Sequence, residues 1–191
     1  MQQIIISGVG GQGVLFITRL LAQAAVDQDR HVLISETHGM AQRGGNVVSH
    51  LKVGEPRTES ALAETGAGRR SPRFEFSSPL IRPGRADVLL ALHADGLAVH
   101  RHYLKSAGKA FSNTQDAQDS NALDATRIAS RLNAPVSANL VLLAFALASG
   151  ELFCSAEHMQ KVLNRSGGRQ LEMNLNAFRA GLSAAREKLK P

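Results

Sequence analysis

The sequence predicts an α/β fold, Rossmann-like, with a mostly parallel sheet and helices on both faces. Apolar, strand-like runs alternate with helical patterns along the chain, which is the order that a parallel sheet with crossover helices requires. The first run, residues 4–6, leads through the glycine turn GVGGQG at residues 8–13 into a helical pattern that begins at Val14. A strand, a glycine turn and a helix in this order are typical of nucleotide-binding domains.

The remaining elements follow from local patterns. Strands are predicted at residues 31–35, 46–53 and 87–92, the last being nearly all apolar, with a weaker candidate at 109–113. Helices are predicted at residues 95–106, 124–132, 139–148, 156–163 and 171–189, with Ser155 as an N-cap. A chain of 191 residues that is 43% hydrophobic can bury a core, so we expect one domain over residues 1–191.

The glycine turn is the first candidate site. Its candidate cofactor-binding residues are Gly8, Gly10, Gly11, Gln12 and Gly13. In a dinucleotide-binding turn the first glycine allows the bend, the second lets backbone N–H groups approach a phosphate, and the third lets helix and strand pack closely. Glu36 ends the second strand 23 residues beyond Gly13, where a ribose-binding acid would lie. The alternative is a glycine turn that only packs a helix onto a sheet.

The second candidate site is the loop ETHGMAQRGG at residues 36–45. It combines a carboxylate, an imidazole, an amide and a guanidinium with three glycines, a composition unlike that of a simple connection. We interpret it as a functional loop whose candidate catalytic side chains are Glu36, His38, Gln42 and Arg43. Its glycines, Gly39, Gly44 and Gly45, would allow a ligand or a neighbouring chain to approach the backbone, and Gly44 and Gly45 are further candidate cofactor-binding residues.

The net charge of +6 and the sequence pI near 10.1 raise the question of a nucleic-acid partner. The basic residues are scattered, with the tightest group at Arg69, Arg70 and Arg73, and only 4% of residues are aromatic, which leaves few side chains to stack on bases. We therefore expect no nucleic acid. An acidic partner or a phosphorylated ligand would use the positive charge equally well.

A single cysteine, Cys154, excludes an intrachain disulfide, a four-thiolate iron–sulfur cluster and a cysteine-rich zinc site within this chain. It follows Leu152 and Phe153, so we expect a buried structural thiol and no metal site. The start of the chain has no basic segment, and the longest apolar run, residues 140–148, is too short to span a bilayer. We therefore expect a cytoplasmic protein without a membrane partner.

The histidines have structural interpretations. His100 and His102 are two positions apart in a predicted helix and point to different sides of it, so we expect a solvated face and no chelating pair. His158 lies in a predicted helix without a partner, and His50, in a strand, is expected to be a packed residue.

Two sequence segments carry a specific resemblance to a known family. GVGGQG followed by ETHGMAQRGGNVVSH is similar to the gamma-type domain of the 2-oxoacid (pyruvate/ketoisovalerate):ferredoxin oxidoreductases, and within that family to the small (beta) subunits of the indolepyruvate enzymes. Further matches at residues 78–81, 86–92, 113–114, 139 and 174–181 extend the resemblance over nearly the whole chain. Two features depart from it. Residues 57–75 are interpreted as an insertion relative to the family, and we expect this segment to be flexible. His93 stands where relatives usually have a glutamate.

The resemblance implies an accessory subunit that is inactive alone. Enzymes of this family convert a 2-oxoacid and CoA to an acyl-CoA and CO₂ on thiamine diphosphate, and pass electrons through iron–sulfur clusters to ferredoxin. This chain has neither cysteines for clusters nor the Gly-Asp-Gly of the usual thiamine diphosphate and Mg²⁺ motif, so these cofactors are expected in a larger partner subunit. The loop at residues 36–45 would complete the partner's active site, and the glycine turn would hold CoA.

Two alternatives stay open. One is a free-standing NAD(P)- or flavin-binding oxidoreductase with Glu36 on the ribose, although the residues after Glu36 continue as a polar, glycine-rich loop where a simple Rossmann unit would enter its next helix. The other is a non-catalytic structural subunit with a vestigial glycine turn.

Overall fold

The computed structural model describes residues 1–38, 45–56, 78–116, 119–166 and 168–188. Its strands are β1 Gln2–Val9, β2 Arg30–His38, β3 Asn46–Pro56, β4 Ala86–Ala91, β5 Leu104–Asn113 and β6 Ala122–Leu123. Its helices are α1 Val14–Val26, α2 Ala94–His100, α3 Ala125–Arg131, α4 Ala138–Ala148, α5 Ala156–Ser166 and α6 Leu171–Lys188. Short 3₁₀ turns lie at Arg101–Tyr103 and Pro135–Ser137.

The described strands form one mixed sheet in the order β2-β3-β1-β4-β5-β6. Strands β1, β4, β5 and β6 are parallel to one another, whereas β3 is antiparallel to both of its neighbours, β1 and β2. Five of these six strands therefore point in the same direction. The predicted mostly parallel sheet is confirmed, with β3 as the reversed strand.

The larger core lies between one face of the sheet and the helices α1 and α4. Alternate residues of β1, such as Ile4 and Ile6, point into it, in keeping with the period of two along a strand. Helix α4 is buried along nearly its whole length because the sheet lies on one side of it and α6 on the other. Gly181 of α6 allows this close approach, since a Cβ there would lie under 3.0 Å from the Val141 carbonyl oxygen of α4.

The second face of the sheet has a smaller core. Ile5 and Leu89 point into it from β1 and β4, and Leu97 of α2 and Tyr103 of the first 3₁₀ turn pack against them. Helices therefore cover both faces, as the fold class requires, but the larger core carries most of the buried apolar side chains.

The exceptions to the predicted elements have local causes. The helix predicted over residues 95–106 is wrong beyond His100, because a 3₁₀ turn follows and Leu104 already pairs with Ala86 in the sheet. Strand pairing overrides the local helical pattern there. Strand β6 was not predicted, since two residues carry no periodicity. The predicted insertion at residues 57–75 lies outside the described residues.

Candidate functional site

The candidate site lies at the carboxyl ends of the neighbouring parallel strands β1 and β4. Strand β1 continues into α1, which packs into the larger core through Val14 and Ile17. Strand β4 continues into α2, whose Leu97 packs on the opposite face. The chain thus leaves two adjacent parallel strands toward opposite faces, which defines a topological switch point. Ligands of open α/β sheets bind in the crevice at such points.

Two adjoining cavities occupy this crevice. The larger cavity, of about 310 Å³, is lined by Gly11, Gln12, Leu92, Asn113, Thr126, Pro135, Val136, Ala138 and Asn139. The smaller cavity, of about 210 Å³, is lined by Gly11, Gly13, Phe16, Val136, Ser137, Asn139, Gln170 and Asn174. They share Gly11, Val136 and Asn139. The crevice is therefore built from the ends of β1, β4 and β5 on one side and from the helical layer on the other.

The glycine turn is closed by bonds within the chain. The Gln12 N–H donates to the Val9 carbonyl at 3.0 Å, and the Gln12 side-chain Oε1 accepts from the Val9 N–H at 2.8 Å. The Gly10 N–H donates to the Gly45 carbonyl at 3.1 Å. Two of the amide groups expected to face a phosphate, those of Gly10 and Gln12, are therefore already engaged. Gly11 and the first turn of α1 are not engaged by these three bonds.

Packing explains two of the glycines without any ligand. A Cβ at Gly8 would lie 2.9 Å from Gln12 Oε1 and 3.2 Å from Leu92 Cβ. A Cβ at Gly13, whose φ is +79°, would lie under 3.0 Å from Asn139 Nδ2. Gly11, with φ +97°, has open space where a Cβ would be. The alternative stated for the motif, a turn needed for packing, therefore accounts for Gly8 and Gly13, whereas Gly11 leaves open space in the crevice.

Asn139 is the central side chain of this site, and no site role was assigned to it from the sequence. Its Nδ2 donates to the Gln12 carbonyl at 3.0 Å, and its Oδ1 accepts from the Leu140 N–H at 2.7 Å. It is buried at the start of α4. The available signal was a lone carboxamide in an otherwise apolar helix, because a polar group is placed there only when it has partners.

Asn113, at the end of β5, fixes the opposite wall of the larger cavity. Its Nδ2 donates to the Leu92 carbonyl at 3.1 Å and to Thr126 Oγ1 at 2.9 Å. Its Oδ1 accepts from the Thr126 N–H at 3.2 Å. One carboxamide thereby ties the end of β4 to the first turn of α3, and the wall of the cavity is held by hydrogen bonds as well as by packing.

Glu36 is at the same edge of the sheet as the glycine turn, but not beside it. It lies opposite Ser49 in the β2–β3 pairing, and β3 separates β2 from β1. Two strand spacings, about 10 Å, therefore lie between Glu36 and the axis of β1. A ribose acid of a dinucleotide fold requires its strand directly beside β1. The interpretation of Glu36 as a ribose ligand, which rested on sequence spacing, is corrected by this strand order.

The loop at residues 36–45 meets the glycine turn at its far end. Its first residues close β2, with His38 opposite Val47, and its last residue, Gly45, accepts the hydrogen bond from Gly10. The two segments predicted to be functional are thus brought to one edge of the sheet. Gly39, Gln42, Arg43 and Gly44 lie outside the described residues.

His93, which departs from the resemblance, is the N-cap of α2. Its Nδ1 accepts from the Asp95 N–H at 3.3 Å, and its carbonyl accepts from the Gly96 N–H at 3.0 Å. The imidazole is 42% exposed and lies 3.4 Å from the Asp95 carboxylate. His93 therefore has a structural role at the rim of the crevice, since it satisfies a backbone donor at the start of a helix.

The interpretation of His100 and His102 as a solvated face is wrong for His100. That side chain is buried and its Nδ1–H donates to the Gly96 carbonyl at 3.2 Å, whereas His102 is exposed and its ring contacts that of Tyr103 at a tilt of 36°. His50 is a packed residue as predicted, and its Nδ1 accepts from the Ile81 N–H at 3.2 Å. Burial lowers the pKa of both His50 and His100 below 6.5, and their mutual repulsion lowers that of His50 further.

His158 and Cys154 are remote from the crevice. His158 does have a neighbour, in correction of the sequence interpretation, since its Nε2 lies 3.7 Å from the Asp27 carboxylate of α1. Ser155 accepts from the His158 N–H at 3.2 Å, which confirms it as the N-cap of α5. Cys154 is buried as predicted, and burial raises the pKa of its thiol to about 12. A thiol with that pKa is not a nucleophile at neutral pH.

Metal-binding clusters and membrane-spanning helices are both absent from the described residues. Within those ranges no three His, Cys, Asp or Glu side chains are grouped so that they could hold a metal ion. Over the same part of the chain, no helix is both long and apolar enough to cross a membrane.

Comparison with known proteins decides the family. The model of the family described as pyruvate ferredoxin/flavodoxin oxidoreductase matches residues 3–68 and 71–184. The chain belongs to this family. It is a subunit-type chain of the 2-oxoacid:ferredoxin oxidoreductases, IorB-like, and the resemblance drawn from the glycine turn and the loop is confirmed.

Two subunits of indolepyruvate oxidoreductases match this chain along nearly their whole length. The indolepyruvate oxidoreductase subunit IorB of Pyrococcus horikoshii is 26% identical over 97% of this chain and 96% of that protein. IorB of Methanothermobacter thermautotrophicus is 29% identical over 96% of this chain and 97% of its own length. The gamma subunit of a keto/oxoacid ferredoxin oxidoreductase from Geobacter sulfurreducens has the same fold, with a TM-score of 0.69, 21% identity and coverage of 98% and 99%.

Proposed function

We propose that this chain is the small, accessory subunit of a thiamine-diphosphate-dependent 2-oxoacid:ferredoxin oxidoreductase of the indolepyruvate type. The complete enzyme would convert a 2-oxoacid and CoA to an acyl-CoA and CO₂ and pass the electrons to ferredoxin. The observation that carries the proposal is the end-to-end match to IorB subunits, which leaves no large segment unmatched on either side.

The division of labour follows from what the chain can hold. Its one cysteine is buried and its thiol has a pKa of about 12, so this chain supplies no thiolate to an iron–sulfur cluster. Thiamine diphosphate, Mg²⁺ and the clusters therefore belong to a larger partner subunit, and ferredoxin docks through that partner. The chain is inactive alone under this proposal.

The loop at residues 36–45 is proposed to complete the partner's active site. Its support is positional, because both ends of the loop lie at the edge of the sheet that carries the crevice, one at the end of β2 and the other against Gly10. Arg43 would offer its planar fork to a carboxylate or phosphate, a geometry that lysine cannot reproduce. Gln42 would add an amide contact, and His38 and Glu36 would orient the arginine or handle protons.

CoA is proposed to bind across the crevice, with its diphosphate over Gly11 and the first turn of α1. The support is the open space at Gly11 and the location at a switch point. The N-terminus of a helix carries roughly half a positive charge, and its first N–H groups have no partner within the helix. An anion placed there is stabilised without a charged side chain.

Turnover by mixed subunits tests the proposal. The purified chain is combined with a 2-oxoacid, CoA, thiamine diphosphate, Mg²⁺ and an artificial electron acceptor, with and without the larger subunit. Turnover is expected only with both subunits. Oxidoreductase turnover by this chain alone would refute the assignment.

The variant Arg43→Lys tests the loop within the same assay. Losing one charge-assisted hydrogen bond costs about 1.5 to 3 kcal/mol, so turnover of the assembled enzyme should fall roughly ten- to a hundredfold if the bond is made in the transition state. The melting temperature of the free chain should not change. Arg131→Lys, at an exposed position in the last turn of α3, is the matched control and should leave turnover unaltered. Normal kinetics in Arg43→Lys would reduce the loop to a structural turn.

Ligand titration separates the two alternatives. Binding of NADH or FAD by the purified chain would favour a free-standing oxidoreductase, although the position of β3 between β1 and β2 argues against Glu36 as its ribose ligand. Binding of none of NADH, FAD and CoA would favour a structural subunit with a vestigial glycine turn.

A further inference from the structure

The smaller core on the second face of the sheet is covered in part by an irregular segment, residues 78–85, which we call the strap. Ile81 of the strap is 2% exposed and belongs to this core together with Ile5 and Leu89. Helix α2 lies on the same face but has only seven residues. The cover of the smaller core therefore depends on how the strap is held.

Hydrogen bonds hold the strap near both of its ends. Near its start, the Ile81 N–H donates to His50 Nδ1 of β3 at 3.2 Å. Near its end, the Gly84 N–H donates to the His102 carbonyl at 2.9 Å. The first bond has a titratable acceptor, whereas both partners of the second are backbone groups, which keep their roles at every pH near neutrality. A change of pH therefore acts on the start of the strap and not on its end.

The bond from Ile81 fixes where the ring of His50 carries its proton. A neutral imidazole has one N–H donor and one bare nitrogen that accepts. Because Nδ1 accepts, the proton is on Nε2, and Nδ1 is the only ring atom that can take a second proton. In the imidazolium both nitrogens are donors, so Nδ1–H would then face the Ile81 N–H. Protonation of His50 therefore breaks this bond.

The described groups beside His50 on the sheet and in the first 3₁₀ turn offer no negative charge to an imidazolium. Strands β1 and β2 place Ile5 and Ser35 opposite it, and neither side chain titrates. Tyr103 places its ring 5.2 Å from that of His50, edge to face, and a phenol is neutral in this pH range. On β3 itself, the ammonium of Lys52 is near enough to oppose a second positive charge.

The elements that pack over this face add further basic groups. His100 of α2 is buried, and its charge, when the ring is protonated, opposes that of His50. Arg82 of the strap adds positive charge near Lys52, and His102 adds it near His100 when protonated. Burial, followed by the charges of His100 and Lys52, holds the pKa of His50 below 6.5 in the folded chain.

We propose that His50 is a pH-sensitive switch that holds the start of the strap on β3 while its ring is neutral and releases the strap when the ring is protonated. The released ring is solvated and binds a proton with its ordinary pKa of about 6.5, whereas the ring in the closed strap has a lower pKa. Opening therefore takes up a proton and becomes more favourable as the pH falls below about 6.5. The larger core lies on the other face of the sheet and stays closed. Acidification thus uncovers the smaller core without unfolding the chain.

Amide hydrogen exchange of the full chain, measured by nuclear magnetic resonance between pH 7.5 and 5, tests the proposal at the Ile81 N–H. The opening constant is obtained after correction for the intrinsic exchange rate at each pH. Uptake of one proton allows at most a tenfold rise per pH unit, so opening at Ile81 should increase by about tenfold over this range. The Leu92 N–H, which donates to the Ser7 carbonyl at 2.7 Å, is the internal control and should keep its protection.

Two variants of His50 separate the acceptor from the titration. His50→Asn places an amide oxygen near the position of Nδ1, which accepts without titrating, so the Ile81 N–H should stay protected from pH 7.5 to 5. His50→Ala removes the acceptor, so protection should already be low at pH 7.5. His100→Gln is the matched control, since it removes a buried histidine of the same face whose Nδ1–H donates to the Gly96 carbonyl, and the pH dependence at Ile81 should remain. Melting temperatures check the fold of each variant.

The outcomes decide the proposal even if a variant does not fold. Loss of protection at Ile81 and Leu92 together in the unmodified chain would indicate global unfolding and overturn it, and so would unchanged protection at Ile81. A loss in His50→Asn as large as that in the unmodified chain would also overturn it. The ¹⁵N spectrum of the His50 ring at pH 7.5 should show a bare Nδ1, and a proton on Nδ1 would refute the switch.

Discussion

The variant Gly13→Ala tests the contact on which the geometry of the crevice depends. Gly13 starts α1 with φ +79°, and a Cβ on it would lie under 3.0 Å from Asn139 Nδ2. The substitution therefore has two separable costs. One is the left-handed backbone conformation, which alanine adopts reluctantly. The other is displacement of the Asn139 carboxamide, which must release its hydrogen bond to the Gln12 carbonyl.

Each cost has a magnitude. The left-handed conformation costs an alanine about 1 to 2 kcal/mol. Loss of one intramolecular hydrogen bond costs about 0.5 to 1.5 kcal/mol. Gly13→Ala should therefore lower the free energy of unfolding by about 1.5 to 3.5 kcal/mol, and for a chain of this size each kcal/mol lowers the melting temperature by about 2 to 4 °C.

Gly150→Ala is the matched control for the backbone cost alone. Gly150 has φ +77°, and nothing lies within 4 Å of where its Cβ would be. Its substitution should cost only the conformational part, about 1 to 2 kcal/mol. The difference between the two variants, measured by urea unfolding, isolates the contact with Asn139.

A double-mutant cycle completes the test. In an Asn139→Ala background the displaced side chain is gone, so Gly13→Ala should cost no more there than Gly150→Ala does. The reasoning would be refuted if Gly13→Ala and Gly150→Ala cost the same in the unmodified chain, or if the cost of Gly13→Ala were unchanged by removal of the Asn139 side chain.

Two further predictions concern other parts of the fold. Gly181→Ala should destabilise the chain by roughly 1 to 3 kcal/mol in urea unfolding, because the added Cβ would meet the Val141 carbonyl and lie 2.8 Å from Ala144 Cβ. The same change in an uncrowded helix stabilises by nearly 1 kcal/mol. A gain in stability would therefore show that α4 and α6 are not in close contact there. The free energy of unfolding should fall as the pH drops below about 6.5, since the lowered pKa values of His50 and His100 in the folded chain mean that the unfolded chain binds protons first. Urea midpoints between pH 7.5 and 5 should show a shallower fall in His50→Gln than in the unmodified chain, and an identical slope would remove His50 from this account.

Much of the fold was predictable because its signals are local. The apolar runs of β1 and β4 and the nearly all-apolar α4 identify buried elements directly from composition, and the structure buries them. The order of the strands in the sheet, by contrast, could not be predicted from local patterns. Residues 46–53 read as a strand, but nothing in their periodicity says that β3 runs antiparallel between β1 and β2. The number of residues between the glycine turn and Glu36 therefore fits a dinucleotide-binding motif, but β3 keeps Glu36 away from the turn in the folded chain.

Part of the site was also predictable, because two of its segments have a distinctive local composition. The glycine turn and the loop at residues 36–45 were identified from composition, and their meeting at Gly10 and Gly45 joins them at one edge of the sheet. Asn139 could not be placed, because its partner, the Gln12 carbonyl, is 127 residues away in sequence. The burial of His100 was missed because helical spacing says which side a residue faces but not what covers that side.

The glycine turn shows why a glycine motif alone is weak evidence for phosphate binding. At least two different physical requirements explain the glycines of this turn. Gly8 and Gly13 make room for Gln12, Leu92 and Asn139, which are parts of the protein, whereas Gly11 has open space in front of it. A phosphate-binding turn needs backbone N–H groups directed at the ligand, yet those of Gly10 and Gln12 are bonded within the chain. The same spacing of glycines thus serves mainly to bring β1, α1 and α4 together, and the crevice that results takes its chemistry from the carboxamides around it. For a ligand of this crevice, the side chains that line its described part are consequently a stronger guide than the glycine pattern.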